Sequence, residues 1–577
     1  MKTGIKTNAA RGPKGALNRL LARNIERVLA IPGKKLYSRY ERAARDPEAA
    51  QRAVLGEILE LARDTAFGRE HRLAGVRDYE AFRDRVPVRD YEGHRPYVDR
   101  HARGEADVLF PGKPLMYTRT SGTTALPKLI PISRQNFERT IRDRGKLWLH
   151  GLARSFPGIY RGQDFTVVSP AVEGHTEDGT PFGSLSGLIY KNIPDFVKLV
   201  HTIPYEVITI RDYDAKAYCL LRLGVPADVT VVVTGNPATV LNLAVKADLW
   251  KEDLIRDVRD GTLKAALPLE PQIRRAIEER LEPCAARAAE LGAAAERSPL
   301  FRPADYWPNL KLVHTWTNGN CALVVPKLAP WFAEGTPVLD FGYIASEITA
   351  ADLIDPATNG SLLALLSGFY EFSPVEDEDA PGRRFLLAHE LEVGAKYFVY
   401  VTTFSGLYRY DMNDIVEIVG RHDRAPILRF LYKGKGVTSM QGEKVSEAQL
   451  IDAVGRASAV LGVRCEFFVG YANPERDLYE LYVELSDGAS KEAHAAFGAA
   501  VDAQLRALNI EYDAKRHTER LKPLEVVPLG PDAFARYRRL RLDEGAHEGQ
   551  LKWLHLSSTP ATRDRMKRLS VPPPPRA

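Results

Sequence analysis

Tyr117-Thr-Arg-Thr-Ser-Gly-Thr-Thr-Ala-Leu-Pro-Lys-Leu-Ile-Pro-Ile-Ser133 is the stretch on which the reading of this 577-residue chain turns. Strand-like apolar runs, Leu115 to Thr118 and Lys128 to Ile132, flank a loop of small and hydroxylated residues. Ser121, Gly122, Thr123 and Thr124 put hydroxyls and consecutive backbone N–H groups on that loop. Converging N–H dipoles and hydroxyl donors replace the water that a phosphate loses, so the loop suits an anion. A nucleotide phosphate is the natural guest, with Lys128 adding positive charge at the exit. A polar surface turn is the other reading. The loop joins strand to strand rather than strand to helix, and no Gly-x4-Gly-Lys-Ser/Thr occurs, which excludes a Walker-type ATPase.

Two further segments decide between these readings. Val338-Leu-Asp-Phe-Gly-Tyr-Ile-Ala-Ser-Glu347 reads as a buried strand entering a turn that ends in a carboxylate. Tyr408-Arg-Tyr-Asp-Met-Asn-Asp-Ile-Val-Glu417 reads as a strand pair with Asp414 at its bend. In this order the three segments resemble the nucleotide motifs of the auxin-responsive (Gretchen Hagen three) acyl-acid amido synthetases, a family of adenylate-forming enzymes. Its members carry a Ser/Thr-Ser-Gly-Thr-Thr/Ser loop, then Tyr-x-x-Ser-Glu, then Tyr-Arg-x-x-x-Asp. The resemblance runs from about Tyr117 to about Lys552. Each motif alone is weak; three in order at domain-scale spacing are strong.

Composition agrees with such an enzyme without pointing to it. With 45% hydrophobic and 27% charged residues the chain is that of an ordinary globular protein. Its length requires at least two cores. The net charge of +5 is mild, and no basic stripe interleaves with aromatics, so no nucleic-acid partner is expected. Cys219, Cys284, Cys321 and Cys465 lie far apart without metal-ligand spacing, which fits a reducing cytoplasm. No apolar run approaches the roughly 20 residues that cross a bilayer, and no signal-peptide core opens the chain. The expectation is a cytoplasmic protein with no membrane partner, and a monomer is the simplest state.

Residues 1–15 are basic and expected to be disordered. From Ala16 to Ile31 apolar residues recur at helical spacing with Arg19, Arg23 and Arg27 elsewhere on the wheel. A membrane-surface or transit helix would look like this, but the apolar face continues into helical sequence over residues 40–67, favouring a packed helix. Strands are expected at Phe165 to Ser169, Val229 to Thr234, Leu310 to Thr315 and Thr336 to Phe341, with helices such as Pro237 to Ile255 and Glu270 to Ala295 between them. Such alternation predicts an α/β fold with helix-covered β-sheets. At Arg429 to Gly436 the texture changes, and Gly434 and Gly436 suit a hinge. Beyond it Glu447 to Ala457 and Lys491 to Leu508 read as helices, and Glu466 to Tyr471, Tyr479 to Leu485 and Leu524 to Pro528 as strands. The expected domains are therefore a large N-terminal one, 16–432, that binds ATP and acid, a small mobile α+β lid, 433–570, and a disordered Pro-rich tail, 571–577.

The resemblance implies an ATP- and Mg²⁺-dependent ligase that adenylates a carboxylic acid and passes the acyl group to an amine, most simply an amino acid. Carboxylate attack on the α-phosphorus brings two anions together, so the site must neutralise charge and hold an in-line geometry. The Ser121 to Thr124 loop would hold the phosphates. Asp340, Phe341, Gly342 and Tyr343 would line the nucleotide, with Tyr343 beside adenine. Glu347 would be catalytic as the Mg²⁺ ligand, one or two carboxylates being the usual protein share. A surface or helix-capping carboxylate is its alternative, since Ile-Thr-Ala-Ala-Asp-Leu-Ile after it reads as helical. Asp414 would accept hydrogen bonds from both ribose hydroxyls. Lys552, in a Gln-x-Lys segment like the family's, would steady the α-phosphate, with Lys444 as runner-up. Ser169, Thr234, Trp316 and Asn318 follow strands, where α/β ligand sites form, and are candidate acid contacts.

Three positions depart from the family pattern: Ala125 and Asn413 stand at common glycines, and Ile344 replaces a small residue. Asparagine tolerates positive φ better than most residues, so the turn at 413 can survive. Two rival functions keep the scaffold: a ligase with a thiol acceptor such as coenzyme A, and a non-catalytic nucleotide- or acid-binding protein. The form Tyr343-Ile-Ala-Ser-Glu347 resembles the amido synthetases more than the thiol ligases, and a binding protein has little need of a metal carboxylate.

Overall fold

The computed structural model describes residues 20, 24–120, 128–355, 357–377, 383–434, 436–438, 440, 443, 445–486, 490–517, 519–544 and 553–570. The chain forms two compact units, Met1–Met412 with Val416–Phe430, and Asn413–Ile415 with Leu431–Ala577.

Three sheets organise the first unit. In one, Gln163–Val167, Val229–Thr234, Leu312–His314 and Val338–Leu339 lie side by side, all parallel. Val229–Thr234 is buried throughout, as an apolar β-branched strand covered on both faces must be. Helices Tyr213–Gly224, Pro237–Leu249 and Ala285–Arg297 bring Leu220, Leu243 and Leu291 into one core with Val229, Val232 and Val313. Asn236 starts the second of these helices by accepting from Ala238 N (2.9 Å), so the chain turns from strand end into helix at once.

In the second sheet Lys128–Ile132 pairs antiparallel with Met116–Thr120, which runs parallel to Pro181–Gly183; Gly174–His175 closes the far edge. Thr120 stands opposite Lys128, so residues 121–127 connect two paired strands. The third sheet orders seven strands as Leu386–Leu387, Gly368–Pro374, Lys396–Thr403, Tyr410–His422, Ala425–Lys433, Gly360–Leu363 and Ala351–Asp355. Helices Ile25–Arg45 and Pro47–Ala62 pack on it, Tyr40 and Ala44 sharing a core with Tyr370, Val399 and Leu428. Buried Gln51 pins the second helix to the sheet, donating to Leu365 O (2.6 Å) and Gly368 O (2.9 Å) and accepting from Tyr370 N (2.8 Å).

The second unit is α+β. Cys465–Asn473 and Leu478–Leu485 pair antiparallel, flanked in parallel by Leu556–Ser557 and Glu525–Pro528 respectively. Helices Glu447–Leu461 and Lys491–Leu508 contribute Leu450, Val454, Phe497 and Val501 to its core. Ser446 and Gln449 form a reciprocal capping box at the first helix.

Several expected elements differ in extent or kind. The run after Glu347 is a strand, Ala351–Asp355, paired with Gly360–Leu363, not a helix; a short apolar run does not reveal its period. Tyr410–His422 is one strand rather than a pair. The expected helix Pro237 to Ile255 breaks at Trp250 into Pro237–Leu249 and Lys251–Asp260. Glu270 to Ala295 splits into Pro271–Glu278 and Ala285–Arg297, because Pro283 cannot continue a helical ladder. In the opposite sense, Ile25–Arg45 runs through Pro32.

Candidate functional site

The carboxyl ends of the parallel strands meet a turn built by Asp340. The turn begins where Val338–Leu339 ends, and its shape is fixed by a buried carboxylate. Asp340 Oδ2 accepts from Thr317 N (2.8 Å) and Thr317 Oγ1 (2.9 Å), and Oδ1 accepts from Gly342 N (2.8 Å). Its own N–H donates to Asn359 Oδ1 (2.8 Å), and Asn359 Nδ2 donates to Thr317 Oγ1 (2.9 Å). Burial lifts the Asp340 carboxyl above its ordinary range while these donors pull it down. Gly342 sits at φ +89°, a left-handed position where a side chain would be strained. Asp340 thus shapes the loop from within, its oxygens engaged by this chain's own donors.

Beyond the turn, Glu347 is half-buried and accepts from Tyr410 Oη (3.4 Å). The neighbouring Ser346 O accepts from Thr118 Oγ1 (3.3 Å), on the strand that leads into the hydroxyl-rich loop. Three segments therefore converge across separations of 228 and 63 residues: strand Met116–Thr120, the 340–347 turn, and the start of strand Tyr410–His422. Tyr343 is buried and stacks on Phe430 (6.0 Å between centroids), so its ring belongs to the core of this unit.

Aromatic side chains line the same end of the parallel sheet. Trp316, half-buried, donates from Nε1 to Gly342 O (3.2 Å), and its backbone N–H donates to Gly235 O (3.1 Å). A Cβ at Gly235 would lie 2.9 Å from the Trp316 ring, so glycine lets the indole approach the strand end. Phe341 meets Trp316 and His314 edge-on, and Trp148 stacks on His314 (5.5 Å, 9° between planes). His314 Nε2 lies 2.9 Å from Asp340 O, which fixes Nε2 as the protonated nitrogen; burial holds the ring's pKa down to about 4. Trp316, Phe341, His314 and Trp148 thus form a chain of aromatic contacts at this strand end, next to the turn that carries Glu347.

Of the residues expected at the site, Asp340, Phe341, Gly342, Tyr343 and Glu347 lie in this one turn, and Thr234, Trp316 and Asn318 lie at the neighbouring strand ends. Ser169 is buried, and its carbonyl accepts from Ser184 Oγ (2.8 Å) at the start of helix Leu185–Asn192. Asp414 is buried and groups with the second unit, where Gly434 N donates to Asn413 O (2.8 Å). Ser121, Gly122, Thr123, Thr124, Lys444 and Lys552 lie outside the described residues. The sequence did not single out Thr118, Asn359 and Tyr410, and Thr317 lies in a loop expected to contact the acid, where it instead holds Asp340. The Asn359-Gly360 pair, a turn signal between two strand-like runs, was the cue for one of them.

Comparison with known proteins bears on the whole chain. Models of the GH3 family N-terminal, central and C-terminal domains match residues 36–338, 361–433 and 448–561. Over 551 residues the chain is 29% identical to the probable indole-3-acetic acid-amido synthetase GH3.2 of Oryza sativa subsp. japonica, covering 89% of this chain and 88% of that one. It is 27% identical over 534 residues to the jasmonoyl–L-amino acid synthetase GH3.5 of the same organism, covering 86% and 90%. Its fold is similar to that of the GH3.15 acyl acid amido synthetase, with a TM-score of 0.81 at 23% identity over 92% of this chain and 95% of that one. The same synthetase in complex with 2,4-DB gives 0.83 at 23% identity over 93% and 96%.

Proposed function

The chain belongs to the GH3 family, and from that premise we propose that it is an acyl-acid amido synthetase, an AMP-forming ligase that joins a carboxylic acid to an amine, most simply an amino acid. The observation that carries this reading is the convergence of Thr118, the Asp340–Glu347 turn and Tyr410. Relatives along nearly the whole chain are named as a probable indole-3-acetic acid-amido synthetase and a jasmonoyl–L-amino acid synthetase.

In this reading ATP is a substrate whose phosphates lie on the Ser121 to Thr124 loop. Glu347, a hard oxygen ligand beside the root of that loop, fits Mg²⁺, which would neutralise the phosphate oxygens. Asp340 holds Phe341 to Tyr343 in shape for the nucleotide, and Asp414 serves the ribose. Trp316, with Thr234, Asn318 and Ser169 nearby along the strand ends, serves the acid. Lys552 steadies the developing charge at the α-phosphate, so Lys552→Ala slows adenylate formation more than ATP binding. The carboxylate then attacks the α-phosphorus, pyrophosphate leaves, and the amine displaces AMP from the acyl carbonyl. The second unit acts as a lid about Gly434 and Gly436 between the two steps. No described helix is long and apolar enough to cross a membrane. With four free thiols, a monomer in the cytoplasm is the setting proposed.

The test is pyrophosphate release from ATP with a panel of aryl, indolyl and fatty acids, each with amino acids, with coenzyme A, or with neither. Amide product with amino acids supports the proposal. Thioester product would move the acceptor to a thiol, and ATP binding without release for any acid would favour a binding protein.

A further inference from the structure

Arg409, the arginine of Tyr408-Arg-Tyr-Asp-Met-Asn-Asp414, has no role in the chemistry above, yet its side chain is tightly constrained. It is almost fully buried against an equally buried carboxylate, Glu371 on strand Gly368–Pro374. Its Nη2 lies 2.7 Å from Glu371 Oε1, and Nε lies 3.0 and 2.9 Å from the two oxygens. Nη1 donates to Arg83 O (3.2 Å) and Val86 O (3.0 Å), placing the cation at the carboxyl end of helix Tyr79–Arg85, where the helix dipole favours positive charge. Tyr79 Oη, from the first turn of that helix, donates to Glu371 Oε1 (2.8 Å). The guanidinium also lies over the Phe385 ring at 4.7 Å.

The backbone is fixed as tightly as the side chain. Arg409 has φ +46°, a left-handed conformation that a bulky residue keeps only when its surroundings over-determine it. Tyr408 N donates to His94 Nε2 (3.1 Å) and Arg409 N to Thr402 Oγ1 (3.0 Å). Arg89 N donates to Arg409 O (3.2 Å), and Asp411 N donates to Arg89 O (2.8 Å). The very next side chain is Tyr410, whose hydroxyl reaches Glu347.

We propose that Arg409, clamped by Glu371, is a positioning residue for adenylation: it holds the left-handed kink that aims Tyr410 at Glu347. The clamp joins three elements distant in sequence, helix Tyr79–Arg85, strand Gly368–Pro374 and the entry to strand Tyr410–His422, behind the side chain that would carry the metal. A planar fork is required, because one cation must satisfy a carboxylate and two helix-end carbonyls at fixed angles. Lysine keeps the charge but not the fork. The inference rests on the proposed function.

The experiment is a double-mutant cycle on the full chain, read as kcat and KM for ATP in acid-dependent pyrophosphate–ATP exchange, with melting temperature and circular dichroism recorded for every variant. Arg409→Lys and Glu371→Gln should each lower kcat by about 10- to 100-fold in a chain still folded at the assay temperature, with KM for ATP changed less than about threefold. Tyr410→Phe, which removes the link to Glu347, should be nearly silent when added to Arg409→Lys, since contacts acting in series do not add. Unchanged kcat in folded Arg409→Lys and Glu371→Gln would overturn the inference, as would losses that add fully with Tyr410→Phe. Failure of both clamp variants to fold would also overturn it, assigning the pair to the fold alone. Wild-type protein without exchange for any acid would instead overturn the proposed function, so the two failures are distinguishable.

Discussion

Four histidines are held neutral by partners that leave no choice of tautomer or by full burial. His94 Nδ1 faces Asp90 O while Nε2 accepts from Tyr408 N; His101 Nδ1 faces Glu105 O while Nε2 accepts from Leu109 N. A carbonyl only accepts and a backbone N–H only donates, so each ring carries its proton on Nδ1 and Nε2 must stay bare. His314 and His555 are buried against the carbonyls of Asp340 and Phe468. Burial lowers all four to about 4. Unfolded histidine titrates near 6.5, so between these values the unfolded chain takes up protons that the folded chain refuses. Their contribution to stability is complete above about pH 6.5 and is lost as pH falls toward 4, by about 1.4 kcal/mol per pH unit for each ring. Titration of histidine-selective ring resonances should show at least four of the 13 that stay neutral at pH 5; ordinary curves for all 13 would contradict the lowered values. At the same scale, Gly235→Ala places a methyl 2.9 Å from the Trp316 ring and must displace the indole. If Trp316 serves the acid, steady-state kinetics should show KM for the acid raised several-fold with KM for ATP little changed.

At the scale of elements, the strand Tyr410–His422 carries two left-handed residues, Arg409 at its entry (φ +46°) and Asn413 within it (φ +52°). The second was foreseeable: asparagine stands where the family pattern has glycine, and it tolerates that conformation. Asn413→Gly should therefore preserve stability in urea unfolding, whereas Asn413→Val should cost about 1–2 kcal/mol, because a β-branched side chain crowds the left-handed backbone and lacks asparagine's local hydrogen bonding. Equal stability of the two variants would refute the strained turn. The parallel strand Val229–Thr234 was likewise plain from its unbroken β-branched run, as was helix Lys491–Leu508 from its spacing. What escaped the sequence was decided by distant partners. Ala351–Asp355 became a strand because Gly360–Leu363 pairs with it across a turn, and nothing local distinguishes it from a helix. Asp340 has the look of a ligand residue in its motif, but its oxygens are taken by Gly342, two residues on, and by Thr317, which only the folded chain brings near. Motif order picked out segments that the fold makes neighbours, through Thr118 with Ser346 and Tyr410 with Glu347; the supporting carbonyls and hydroxyls came from tertiary contacts.

At the scale of the whole molecule the chain forms two compact units, and Gly434 and Gly436 follow within a few residues of the crossing from Phe430 to Leu431. If backbone freedom at this link serves the second step, Gly436→Pro should slow amide formation in single turnover at least about tenfold while leaving acid-dependent pyrophosphate exchange close to wild type. Equal slowing of both steps would remove the hinge from the account. The central claim is adenylation at the convergence of the Thr118 strand, the Asp340–Glu347 turn and Tyr410. Acid-dependent incorporation of labelled pyrophosphate into ATP, measured on wild type and Glu347→Ala side by side, tests it most directly. Exchange is expected in wild type only when a carboxylic acid is supplied, with a loss of at least about 100-fold, or ~2.7 kcal/mol of transition-state stabilisation, in a Glu347→Ala chain that melts within a few degrees of wild type. Exchange at the wild-type rate in Glu347→Ala, or ATP binding without exchange for any acid, would contradict it.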